Sequence, residues 1–234
     1  MTTTTDSSRL VPLVRKGSRP SVVLLPGAGG GLGYYLRLAG FLGKTRNVYG
    51  IRASGLVAGE GTENRVPDMA DSVVKVLDNA GIEPDVVLGW SMGGVIGWET
   101  ALRLAERGVK PSLVLMDSSP FNFAAGDGFA DWLLDKIGAM LGPRPDEEAA
   151  ARVKRVLEGQ LTALSDNKVE REYAGRVLYF ACAEPADARE LNLAAWRQLA
   201  PDLTEHQVDV DHYSIAKPEN FPALQDALAS FLNT

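Results

Sequence analysis

The chain has one cysteine, Cys182, among its 234 residues, so it cannot form an intrachain disulfide. This fits a protein of a reducing compartment, and we expect a cytoplasmic location. The first eight residues, MTTTTDSS, lack the apolar segment of a secretory signal peptide and are interpreted as a disordered tail or linker. No apolar run approaches the roughly 18–20 residues that a membrane-spanning helix needs, so we expect no membrane partner.

A strong excess of one charge is also missing from the sequence. The 24 basic and 30 acidic residues give a formal net charge of −6, and both signs are mixed along the chain. This argues against a nucleic-acid partner. Two histidines and one cysteine offer no cluster of metal ligands, so we expect no metal site.

Phosphate-binding motifs are absent too. The glycine run Gly27–Gly33 places Leu32 or Tyr34 where a G-x-G-x-x-G motif needs its third glycine, and no G-x-x-x-x-G-K segment occurs. Nucleotide binding is therefore disfavoured.

Short apolar runs alternate with helical patterns along most of the chain. The runs typical of strands are Ser21–Leu25, Asn47–Ile51, Val86–Leu88, Leu113–Met116, Val177–Cys182 and Gln207–Val210. Helical patterns cover residues 34–43, 67–80, 95–107, 190–199 and 221–232. This alternation predicts one α/β domain over residues 9–234, with a mostly parallel sheet covered by helices on both faces. In such sheets, ligands bind beyond the carboxyl ends of the strands.

Residues 121–172 interrupt the alternation with two amphipathic helical segments separated by Pro143 and Pro145. They predict a helical insertion between two strands. One interpretation is a solvated elaboration of the fold. We favour a lid over an active site, because the insertion leaves the sheet at the edge where a ligand is expected.

The segment VVLGWSMGG, residues 86–94, carries a G-x-S-x-G motif formed by Gly89, Ser91 and Gly93. A serine on a sharp strand-to-helix turn is exposed to substrate, and the glycines relieve the crowding of that turn. Because a serine hydroxyl is a weak nucleophile, Ser91 needs a base. The predicted strand before the motif and the predicted helix after it favour a nucleophile.

The base is predicted to be His212, which follows a strand and therefore lies at the same sheet edge as Ser91. His206 precedes that strand and is expected on the surface. Asp117, directly after the next strand, is the favoured carboxylate, while Asp187 and Asp211 remain alternatives. The order Ser, Asp, His is that of α/β-hydrolases.

The backbone N–H groups of Ala28 and Met92 are the candidates for an oxyanion hole, because they follow one strand and begin one helix. Cys182 lies inside an apolar strand and is interpreted as a core residue. Several aromatic residues could supply apolar walls of a substrate pocket or belong to the core. The pocket candidates are Trp90, Tyr34, Phe121 and Trp132.

Over nearly its whole length the chain resembles the thioesterase domains of nonribosomal peptide and polyketide synthases. The resemblance rests on GSRPSVVLLPGAGG at 17–30, GWSMGG at 89–94, LMDSSP at 115–120 and DHYSI at 211–215. Trp90 before the serine is specific, since general esterases more often carry histidine there. The position of Asp117 resembles that in chain-terminating members, whereas editing thioesterases tend to carry the acid one strand later.

The resemblance implies that Ser91 accepts an acyl chain from the phosphopantetheine thioester of a carrier protein. Water, or an internal hydroxyl or amine, then releases the chain by hydrolysis or cyclisation. The carrier protein is the expected partner, and no cofactor of the enzyme itself is expected. The alternatives are an editing thioesterase, a free α/β-hydrolase acting on small esters or lactones, and a catalytically idle binding protein.

Overall fold

A seven-stranded sheet organises residues 9–138 and 146–233, which are those that the computed structural model describes. The strands are β1 Leu10–Val14, β2 Ser21–Leu25, β3 Asn47–Ile51, β4 Val86–Trp90, β5 Ser112–Met116, β6 Val177–Glu184 and β7 Leu203–Asp211. Their order in the sheet is β1-β3-β2-β4-β5-β6-β7. Only the β1–β3 pairing among these is antiparallel. The mostly parallel α/β-hydrolase sheet predicted from the sequence is confirmed.

Helices cover both faces of the sheet. They are α1 Leu36–Leu42, α2 Val66–Ala80, α3 Met92–Ala105, α4 Phe129–Gly138, α5 Glu147–Asp166, α6 Ala186–Leu199 and α7 Pro222–Asn233. Every residue of β2, β3 and β4 is buried. Val23 and Leu25 join the core under α2, α3 and α6, whereas Val22 and Leu24 join the core under α1 and α7. The strands are apolar on both faces because each face packs against helices.

β1 and β7 differ most from the sequence prediction, and β4 and β6 each extend two residues beyond their predicted ends. β1 was not expected, because its five residues are only partly buried at the sheet edge and include the exposed Pro12. β7 begins at Leu203, so His206 lies within the strand opposite Phe180 rather than before it. β7 is the edge strand opposite β1, and its exposed polar residues obscure the apolar pattern by which a strand is predicted. The His206 ring packs edge-on against Phe180.

Helices α4 and α5 lie between β5 and β6, where the insertion was predicted. Residues 139–145, with both prolines, and the predicted tail at 1–8 lie outside the described residues. Helix α5 packs tightly on the domain, because Val156 and Leu157 are buried and a Cβ on Gly159 would lie 2.8 Å from the Glu63 carbonyl oxygen. Helix α4 is more open, and its Trp132 is 42% exposed.

Within the described ranges, no helix combines the length and the apolar character needed to cross a membrane.

Candidate active site

Ser91 occupies a sharp turn, as the single residue between β4 and α3. Its φ of 54° and ψ of −122° lie in a region that residues other than glycine rarely adopt. A Cβ on Gly89 would overlap the backbone of Gly93, and one on Gly93 would overlap the Leu25 carbonyl. The glycines of the motif therefore allow strand, turn and helix to approach closely enough to expose the serine.

His212 follows β7 and lies beside Ser91. Its Nε2 atom is 3.1 Å from the Ser91 hydroxyl oxygen, and its Nδ1 atom is 2.7 Å from the Asp117 Oδ2 atom. An ionised carboxylate only accepts hydrogen bonds, so this pairing assigns the proton to Nδ1. The unprotonated Nε2 can then accept the proton of the Ser91 hydroxyl. The structure thus joins three residues that are far apart in the sequence.

Asp117 is held by three contacts directly after β5. Its backbone has a φ of 47°, in the left-handed region that aspartate tolerates better than most residues. Its N–H donates to the Phe180 carbonyl at 2.8 Å, and its Oδ1 accepts from the Cys182 N–H at 3.1 Å. The remaining Oδ2 points to His212. The carboxylate is therefore oriented before any substrate binds.

The two alternative carboxylates lie elsewhere. Asp187 is exposed in the first turn of α6. Asp211 accepts hydrogen bonds from the Ser214 hydroxyl and from the N–H groups of Tyr213 and Ser214. These bonds, that of the hydroxyl first, hold the pKa of Asp211 below its ordinary value. Asp211 thereby stabilises the turn that presents His212.

Cys182 is buried in β6 beside this site. Burial raises the pKa of its thiol well above the ordinary value, and the negative charge of Asp117 raises it further. The thiol therefore stays protonated, which agrees with a core residue rather than a nucleophile.

Trp90 links the serine turn to the histidine turn. Its indole Nε1 donates to the His212 carbonyl oxygen at 3.1 Å, and its ring lies against the imidazole with centroids 5.6 Å apart. The Trp90 N–H donates to the buried Tyr35 hydroxyl, which itself donates to the Leu25 carbonyl. Sequence reasoning treated Trp90 as a marker of the family and a candidate pocket residue, and it missed the contact with the histidine backbone.

The loop after β2 has four backbone N–H groups at Gly27–Gly30, and three of them have protein acceptors. Gly27 donates to the Tyr34 hydroxyl at 2.5 Å, Gly29 to Gln160 Oε1 at 2.7 Å, and Gly30 to the Gly27 carbonyl at 3.1 Å. The Ala28 N–H has no acceptor within the described parts of the chain. Met92 is the first residue of α3, so its N–H has no acceptor within the helix.

A cavity of about 330 Å³ opens at Ser91, His212, Ala28 and Met92. Of the four residues expected to line a substrate pocket, Trp90 and Phe121 line this cavity, whereas Tyr34 and Trp132 lie outside its lining. Tyr34 is directed toward the Gly27 N–H instead, and Trp132 packs edge-on against Tyr213. Most of the wall is apolar, and the insertion supplies seven apolar residues to it. These wall residues are Phe121, Phe123, Phe129, Leu133, Ile137, Leu161 and Leu164.

Three polar residues of the cavity wall, Ser119, Asn192 and Lys136, were not predicted. Ser119 donates its hydroxyl to Asn192 Oδ1 at 2.9 Å, and Lys136 of α4 also lines the space. Ser119 follows Asp117 closely, so the strand-end rule could have found it. Lys136 and Asn192 lie on helices whose register against the cavity was not predicted. Among the described residues, no group of three histidine, cysteine or acidic side chains is arranged to hold a metal.

Comparison with known proteins gives the family. A family model described as a thioesterase domain matches residues 20–233. The chain belongs to the thioesterase domain family. This confirms the resemblance seen in the sequence, and the family together with the fold supports hydrolase activity.

The relatives of this thioesterase domain are much longer proteins. It is 26% identical over 253 residues to a dimodular nonribosomal peptide synthase of Bacillus subtilis (strain 168), covering 94% of the chain and 11% of the synthase. The chain spans only 4–11% of the length of the first three curated relatives.

Solved thioesterase domains share the fold. The Vlm2 thioesterase domain bound with a dodecadepsipeptide has a TM-score of 0.80 and 21% identity, covering 96% of this chain and 98% of that one. The NocB thioesterase domain from the nocardicin cluster has a TM-score of 0.78 and 23% identity, covering 97% and 100%. At these identities the likeness concerns the fold alone.

Proposed function

We propose that this thioesterase domain releases a peptidyl or other acyl chain from the phosphopantetheine thioester of a carrier protein. Ser91, His212 and Asp117 form its catalytic triad. The N–H groups of Ala28 and Met92 form its oxyanion hole. The observation that carries the proposal is the hydrogen-bonded series Asp117–His212–Ser91 at the mouth of an apolar cavity.

In the first half-reaction, the Ser91 oxygen attacks the thioester carbonyl carbon while His212 Nε2 takes the hydroxyl proton. The carbonyl oxygen becomes an oxyanion and accepts hydrogen bonds from Ala28 and Met92. Collapse of this intermediate breaks the carbon–sulfur bond. The departing sulfur receives the proton from His212, which leaves the acyl chain esterified to Ser91.

In the second half-reaction, water or an internal hydroxyl or amine attacks the ester carbonyl. His212 takes the proton of this nucleophile and returns it to the Ser91 oxygen as the ester bond breaks. Asp117 stabilises the imidazolium in both steps. The product is a free acid in the first case and a ring in the second.

The cavity supports an extended apolar acyl group. Its volume falls within the range of about 300–1,000 Å³ that is common for ligand sites. Because much of the wall comes from α4, α5 and the segment before them, we assign the insertion the role of a lid that shapes the acyl pocket. The structurally similar Vlm2 thioesterase domain was solved with a bound dodecadepsipeptide, and the Bacillus relative is a nonribosomal peptide synthase. Both favour a peptidyl chain.

The proposal is tested by presenting one acyl chain in two forms, as a carrier-protein thioester and as a p-nitrophenyl ester. We expect a higher kcat/KM for the carrier thioester, because the carrier and its phosphopantetheine arm supply binding energy that the free ester lacks. The Ser91→Ala variant gives the background rate of each reaction. Equal kcat/KM for both forms would instead identify a general hydrolase of small esters.

A further inference from the structure

The insertion touches the loop that carries Ala28. Gln160 of α5 accepts the Gly29 N–H at 2.7 Å, although the two residues lie 131 positions apart. Gln160 is only 3% exposed. Ile137 of α4 reaches the same glycine, since a Cβ built on Gly29 would lie 2.8 Å from its Cδ1 atom. Both helices of the insertion therefore meet the loop one residue after the proposed oxyanion donor.

We infer that Gln160 is a positioning residue for the oxyanion hole. By holding the Gly29 N–H, it fixes the loop so that the neighbouring Ala28 N–H faces the reacting carbonyl. This role rests on the proposed function of Ser91 and extends it, because it makes the oxyanion hole depend on a residue of the insertion.

The hydrogen-bond pattern of the loop supports this role. Gly27 and Gly30 are held by Tyr34 and by the turn itself, so Gln160 supplies the contact from outside that fixes the middle of the loop. Gly29 has a φ of 90°, a conformation that only glycine adopts readily. Because glycine has no Cβ, steric contacts alone do not hold the backbone of Gly29 in one conformation. Without this acceptor, the buried Gly29 N–H would be unsatisfied, which costs free energy. We expect the adjoining peptide groups to rotate until the N–H reaches another acceptor.

Helix α5 is anchored well enough to serve this purpose. Arg152 Nε donates to the Leu56 carbonyl at 3.2 Å, and Gly159 lies directly against the Glu63 carbonyl. Gln160 is the next residue of the helix, so the contact of Gly159 with the Glu63 carbonyl also fixes the position of Gln160. A helix so docked can hold the loop at a constant distance from Ser91.

The test compares Gln160→Leu with Gln160→Glu. Leucine removes the acceptor and leaves an apolar side chain of similar size. Glutamate keeps an acceptor oxygen but places a carboxyl group in a buried site, which costs more stability. A positioning role predicts more activity for the glutamate variant than for the leucine variant. A merely structural role predicts activities that follow stability, with the leucine variant equal or better.

Two readouts are used: steady-state turnover, and the rate at which a fluorophosphonate labels Ser91, which needs no carrier protein. For Gln160→Leu we expect kcat and the labelling rate to fall about 10- to 100-fold with little change in KM, somewhat less than the loss of a whole oxyanion donor. Gln198→Leu, the same substitution at an exposed glutamine of α6, is the control and should keep the wild-type kcat. Gln160→Met replaces Gln160→Leu if the leucine variant does not fold.

The outcomes are separable. A folded Gln160→Leu variant that labels at the wild-type rate, or activities that follow stability, would overturn the role of Gln160. Wild-type protein that labels at Ser91 but shows no preference for carrier thioesters would overturn the proposed substrate and leave the Gln160 comparison valid. Wild-type protein that does not label at all would overturn both claims.

Discussion

Replacing Asp117 by asparagine is expected to lower kcat about 10⁴-fold, by analogy with other serine triads. The structure gives a specific reason. The Cys182 N–H already donates to Oδ1, so the asparagine oxygen would stay there and its NH₂ group would face His212 Nδ1. That arrangement favours the imidazole tautomer with a proton on Nε2. Such a histidine cannot accept the Ser91 proton.

The matched control is Asp187→Asn, which changes an exposed carboxylate after the next strand. We expect it to keep wild-type kcat, and we expect both variants to keep the fold by circular dichroism. The assignment of the acid would be wrong if Asp187→Asn were the crippling change and Asp117→Asn were close to wild type.

Replacing Gly93 by alanine is expected to destabilise the domain by at least about 3 kcal/mol, at the upper end of overpacking effects. The added methyl group would overlap the carbonyl oxygens of Leu25 and Pro26. Both are backbone atoms at the end of a buried strand, so neither can turn away as a side chain could. Urea denaturation measures the loss, and the soluble yield reports failure to fold.

Gly40→Ala is the matched control, because Gly40 also lies in a helix but has nothing within 4 Å of its added Cβ. We expect this variant to gain about 0.5–1 kcal/mol, since alanine is favoured over glycine in helices. A Gly93→Ala variant as stable as Gly40→Ala would show that the serine turn is not crowded as described.

The elements that carry the proposed triad were predictable because the rule that places them is local. Ser91, Asp117 and His212 each lie within two residues of the end of a strand, and parallel strands bring their carboxyl ends to one edge. The turn at Ser91 was also predictable from the motif at 89–93, because close contact between strand and helix backbones requires glycines at these positions.

Contacts between distant segments could not be predicted in this way. The hydrogen bond from Gly29 to Gln160 depends on how α5 docks, which no local pattern encodes. The same holds for Trp90 and the His212 carbonyl. Tyr34 was expected in the pocket because its aromatic ring could supply an apolar wall, but its hydroxyl accepts a hydrogen bond from the Gly27 N–H. The sequence did not reveal which side chains would form hydrogen bonds with backbone N–H groups.

The most direct test of the proposed triad is to treat the protein with a fluorophosphonate and map the adduct by mass spectrometry. The proposal predicts one adduct, on the Ser91 hydroxyl, in the wild-type protein and a much slower reaction in His212→Ala. An unmodified Ser91, or a Ser91 that reacts equally fast without the histidine, would contradict the proposal that His212 activates this serine.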